Sequence, residues 1–235
     1  MANVKTLQFQ LAASNALNKY LKADLPRLPV ELGKQAGVNT LTSDDKIFNW
    51  QLQIIDNSYQ SCEKTIIACE ANSRFTFFIP VLFKLDIDEL TKILTIEWQS
   101  TLAATLEVYP LIPKSDIAVL LSDLSQIKFA PCWVKNTDLS ISGHISDASL
   151  WVTQTLDNLG HKNLSTQLAI ELALHLNTQP KRVTNKKTKR KEKFIPVERL
   201  LSHCQALIGN KLNSDMNDKS VDTSNIISFS DYIKR

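Results

Sequence analysis

Apolar residues recur first at every second position and later at every third or fourth, and this switch of period divides the chain. Lys5–Leu11 sets Leu7, Phe9 and Leu11 against polar neighbours, which predicts a half-buried strand. Ser14 is placed to cap a short helix bearing Leu17, Tyr20 and Leu21, which must stop before Pro26. Residues 24–46 read as loop, from Pro26, Pro29, Gly33 and Gly37 to the Ser43-Asp44-Asp45 cluster. Three strands follow: Ile47–Asp56, with Trp50, Leu52 and Ile54 on one face, then Lys64–Glu70, then Arg74–Pro80. Ala71-Asn72-Ser73 turns the last two into a hairpin, and Pro80 is expected to end it.

The helical period begins at Asp86. Leu90, Ile93, Leu94, Trp98, Leu102 and Leu106 predict a helix over Asp86–Val108, with Asp86, Asp88 and Glu89 favoured at its positive N-terminal end. A short helix over Ser115–Leu124 and a strand over Gln126–Val134 come next. Ser142-Gly143 reads as a turn, so the following helix is expected from Ile145 to Leu159, with Gly160 as its C-terminal cap. Asn163 or Ser165 caps a helix through Leu176, and Pro196 opens a last one with Val197, Leu200, Leu201, Cys204 and Leu207 on one face. Strands early and helices late predict an α+β fold. It has a mixed or antiparallel sheet of about four to five strands packed on one side by helices, and a helical C-terminal half.

Composition adds limits. With 43% hydrophobic and 22% charged residues the chain is ordinary globular protein, and 235 residues can bury a core without disulfides or metal. Residues 1–209 form a single domain with a basic loop at 181–193, residues 210–225 a polar flexible linker, and residues 226–235 a C-terminal docking tail. No secretory signal or membrane-length apolar run is present, which points to the cytoplasm and away from membranes. Cys62, Cys69, Cys132 and Cys204 read as reduced core thiols, because C-x6-C without a second pair does not suit zinc. Only five Gly argue against phosphate-cradling loops, and no metal or cofactor is expected.

Charge is unevenly spread. Residues 181–193 carry eight basic side chains and one Glu, while the rest of the chain holds 19 basic against 23 acidic. Such a block resists packing and suits a phosphate backbone or an acidic partner. The expected contacts are Lys181, Arg182, Lys186, Lys187, Lys189, Arg190, Lys191 and Lys193. The tail regains apolar character, so Ile227, Phe229, Tyr232 and Ile233 are expected to bind a protein partner by strand addition or as a short helix.

Catalytic signals are weaker. Ser140, Ser142, His144 and Asp147 lie close in sequence, but without a nucleophile elbow the stretch reads as a strand-to-helix turn capped by Ser140 or Ser142. Glu70 suits an acid or base if it faces a cleft, or else is an exposed residue pairing with Arg74. His161, His175 and His203 form no ligand spacing and read as helix-end or surface residues. No residue is assigned a catalytic role.

The runs WQLQIIDNS and KTIIACEANSRFTFFIPVLFKLDIDELTKIL carry a Trp-led strand, an apolar strand ending in Glu and a strand ending in Ile-Pro. In this they resemble a small group of uncharacterised bacterial proteins. That group has a later helix-opening motif, N-R-S-V-x-G-x-M-x-D. Ser140, Gly143 and Asp147 fit it here, while Asp138 and Leu139 stand where the group has Asn and Arg. LALHLNTQP and FIPVERLL are similar to its closing helices. The resemblance covers residues 5–205 and implies one compact domain, with no activity to carry over.

The sequence therefore describes a non-catalytic cytosolic binding protein, an adaptor, regulator or accessory subunit, contacting nucleic acid or an acidic partner through the basic loop. Its rivals are a hydrolase-type enzyme using the Ser140–Asp147 turn with Glu70, and a pure protein–protein interaction module.

Overall fold

Five strands build one mixed sheet in the order β4-β3-β2-β1-β5. β1 (Thr6–Ala13) lies between β2 (Ile47–Asp56) and β5 (Lys128–Lys135), parallel to both, and β3 (Lys64–Glu70) and β4 (Thr76–Val81) continue antiparallel beyond β2. The helices are α1 (Asn15–Leu21), α2 (Ile87–Val108), α3 (Lys114–Ser125), α4 (Leu139–Leu159), α5 (Thr166–Thr178) and α6 (Pro196–Ile208). A separate hairpin pairs β6 (Lys181–Thr184) with β7 (Lys191–Phe194). This computed structural model describes residues 5–30, 32–33, 35–59, 61–184 and 191–209. Among them no helix is long and apolar enough to cross a membrane. The expected α+β class is the observed one.

The two faces of the sheet differ in chemistry. One carries Phe9, Phe48, Trp50 and Phe77, and Trp98 of α2 packs into them, its ring 5.3 Å from Phe48. Tilted and edge-on ring pairs of this kind add to the hydrophobic burial that dominates the core. Side chains alternate along a strand, so Gln10, Asn49 and Gln51 point the other way, and all three are buried. Buried amides must find partners. Gln10 donates to Asn49 at 2.5 Å, Asn49 donates to the carbonyl of Thr42 at 2.5 Å, and Gln51 donates to the hydroxyl of Ser142 on α4 at 3.0 Å. This polar stripe straps residues 39–44 across the sheet and seats the start of α4. Helices thus cover both faces rather than the one expected, because the stripe needs partners as much as the aromatic face needs burial.

Several boundaries are those of the sequence pattern: β2 and β3 stand as read, and α2 ends at Val108 as expected, while Asp86 lies just outside it as the N-cap of a capping box with Glu89. Four points differ. Pro80 lies inside β4, on the sheet's edge, where a missing N–H costs no ladder bond. α4 begins at Leu139 rather than near Ile145, because Asp138 is the cap and carries the helix through Ser142 and Gly143. The basic segment is not a plain loop: its ends form β6 and β7. Cys62 is exposed and Cys132 half-buried, so only Cys69 and Cys204 are core thiols. Burial pushes Cys69 up to about 11 and Cys204 higher still, which keeps both protonated. Lys186, Lys187, Lys189, Arg190, the 210–225 linker and the tail with Ile227, Phe229, Tyr232 and Ile233 lie outside the described residues.

Candidate functional site

The turn between β3 and β4 is organised by Glu70. Its carboxylate, 1% exposed, accepts from the hydroxyls of Ser43 and Ser73, both at 2.5 Å, and from the backbone N–H groups of Asn72 at 3.0 Å and Ser73 at 2.6 Å. A carboxylate offers about four lone-pair sites, and these four donors are enough to fill them. Glu70 is therefore neither the exposed residue nor the partner of Arg74 that its position suggested. It ties the turn to the strap at Ser43.

Arg74 follows in the same turn with φ 61°, in the left-handed region. A residue other than Gly held there costs about 1–3 kcal/mol. Its side chain is 6% exposed. Nη2 donates to the Ser140 hydroxyl at 3.1 Å, while Nε and Nη1 have no partner among the described residues. Ser140 in turn donates to Oδ1 of Asp138 at 2.7 Å. Asp138 also accepts from the backbone N–H of Ser140 at 2.8 Å and, through Oδ2, from that of Leu41 at 2.9 Å. One carboxylate thus caps α4 and holds the strap.

These groups line a cleft of about 690 Å³ at the end of the sheet that carries the β3–β4 turn. Thr40, Leu41 and Thr42 of the strap also line it, together with Val183, Glu192, Arg199 and His203. An adjoining hollow of about 530 Å³ shares Thr40, Asp138 and Ser140. Arg199 is engaged, donating to the Asn72 carbonyl at 3.3 Å, pairing with Glu192, and lying 3.6 Å from the centre of the Phe194 ring. His203 packs on Phe48 and presents an Nε2 without a hydrogen bond among the described residues. Burial lowers its pKa, against the pull of Glu70 and Asp44. It is a half-buried cleft residue, not the helix-end or surface histidine expected.

The Ser140–Asp147 stretch does not assemble as a nucleophile and base. Ser140 spends its contacts on Asp138 and Arg74, and Ser142 donates to the Asp138 carbonyl at 3.1 Å. His144 and Asp147 do not line the cleft. Burial, with Arg74 and Lys181 nearby, lowers the pKa of His144 to about 4. No cluster of three or more metal-binding side chains forms among the described residues.

The basic segment divides by face. Lys181 pairs across the hairpin with Phe194 and Val183 with Glu192, and this face turns toward the cleft. Lys181 is half-buried, and desolvation lowers its pKa. It differs from the solvated cations expected of the whole block. Arg182, Lys191 and Lys193 are exposed on the opposite face, with Arg182 directly across from Lys193.

Sequence reasoning missed Arg74, Asp138, Arg199 and His203 as a group. One signal for Arg74 was available: a long cation ends a tight turn between two apolar strands, where Gly or Asn ordinarily supplies positive φ. No family model, curated protein or solved structure matches the chain, so the family resemblance rests on its motifs alone.

Proposed function

We propose that this protein is a non-catalytic cytoplasmic binding protein that grips the phosphate backbone of a nucleic acid with the outward face of its basic hairpin. The carrying observation is the cross-strand pair of Arg182 and Lys193. Like charges placed directly opposite destabilise a two-stranded ribbon. A polyanion relieves that repulsion and gains counterion-release entropy from it. Lys191 shares the face, and Lys186, Lys187, Lys189 and Arg190 extend the set in sequence. Lys181, turned inward, supports the hairpin instead of touching the partner.

The test is the salt dependence of binding to a short duplex. Affinity should fall linearly on a log–log plot, and replacing Arg182 and Lys193 together by Gln should reduce the slope by about 2. An unchanged slope would sink the reading. Binding of polyglutamate but not of the duplex would replace nucleic acid with an acidic protein as the partner.

A further inference from the structure

The Arg74 guanidinium is buried, charged and short of acceptors. Nε and Nη1 together carry three N–H donors, none of them partnered among the described residues. The neighbouring carboxylates are spent elsewhere: Glu70 on its four donors, Asp138 on Leu41 and Ser140, and Glu192 on Arg199. A buried charge left in this state is expensive. It is also kept in strained backbone at φ 61°, although Gly or Asn would relax the turn. Ser140, anchored by Asp138, orients the guanidinium from one side, and Arg74 is one of the residues that line the cleft.

We infer that the cleft is a receptor for a carboxylate, borne by a small organic acid or by the C-terminal end of a peptide, and that Arg74 pairs with it. A planar carboxylate matches the guanidinium fork with two parallel charge-assisted bonds. Its single charge suits a cleft that also holds Glu70, Asp138 and Glu192, which would repel a phosphate dianion. The volume of about 690 Å³ exceeds what a lone ion needs, and Leu41, Ala71 and Val183 offer an apolar bed for the rest of the ligand. His203, whose buried Nε2 has no hydrogen-bond partner among the described residues, is a further polar residue of the lining. This site lies behind the hairpin and is independent of its outward cationic face.

Thermal shift and calorimetry on the full chain test it, with hexanoate, a pentapeptide carrying a free C-terminus, the same peptide as its amide, and inorganic phosphate, all against chloride at equal ionic strength. Hexanoate or the free-acid peptide should raise the melting temperature saturably, and the amide should not. Tighter binding of the peptide identifies a chain end, and tighter binding of hexanoate an organic acid. Arg74→Asn, which tolerates the left-handed backbone, should weaken binding about tenfold or more. It should leave the ligand-free melting temperature unchanged or higher. Ser140→Ala leaves the turn's backbone intact and should weaken binding severalfold, so it decides the matter if the first variant does not fold. The proposal is overturned if neither carboxylate shifts the wild-type protein beyond chloride, if phosphate alone binds, or if binding survives unchanged in these variants.

Discussion

Nη2 of Arg74 donates to the hydroxyl of Ser140 at 3.1 Å, joining the β3–β4 turn to the first turn of α4 across 66 residues of chain. The contact makes Ser140 an orienting group for a buried cation rather than a nucleophile awaiting a base. Because Asp138 receives the proton of the same hydroxyl, the cap of α4, the strap over the sheet and the cation of the cleft form one connected network.

Asp138→Ala should cost about 1–2 kcal/mol in urea unfolding, the usual loss for a helix cap, with more from the released N–H of Leu41. Ser142→Ala should cost less, since it unpairs one amide hydrogen of Gln51 but releases neither the cap of α4 nor the strap. Equal costs for the two would contradict the assignment of the cap.

Glu70→Ala should be among the most destabilising single changes, on the order of 3–5 kcal/mol, because several buried donors lose their acceptor together. Glu70→Gln should cost less, as it keeps one acceptor oxygen. Chemical denaturation of the two variants, compared at constant slope, checks the order.

The protein should lose stability on acidification. His144, His175 and His203 all have pKa values lowered in the fold, chiefly by burial, so the unfolded chain binds their protons more readily. Their contribution is complete above the ordinary histidine value of about 6.5. It declines as pH falls, reaching its lower limit for His144 near pH 4. His144→Gln should flatten the melting-temperature profile over that window, and an unaltered profile would contradict the burial of the ring.

Lys181→Gln should not change the salt slope of polyanion binding, whereas the Arg182 and Lys193 pair should. The difference follows from the two faces of one hairpin, and titrations at several salt concentrations measure it directly. A loss of slope at Lys181 equal to that at Lys193 would mean the inward face also meets the partner.

Sequence pattern by itself determined the elements whose cause is local. β2 and β3 are legible from their β-rich runs between turn residues, α2 from its period and the acidic Asp86, Asp88 and Glu89 at its start, and α6 from Pro196 and its apolar stripe. The concentration of charge at 181–193 was equally plain, though not that alternation would split it into an outward face and a half-buried Lys181. Tertiary structure alone decided what Glu70, Arg74, Asp138 and His203 do. Beside its local contacts, each meets a partner from a distant segment, Ser43 for Glu70, Ser140 for Arg74, Leu41 for Asp138 and Phe48 for His203, and the order of the strands in the sheet decides which of those segments come together. The stripe of Gln10, Asn49 and Gln51 is spaced like any polar strand face. Only burial turned it into the demand for hydrogen bonds that pulls the strap and α4 over the sheet and leaves a cleft at its end.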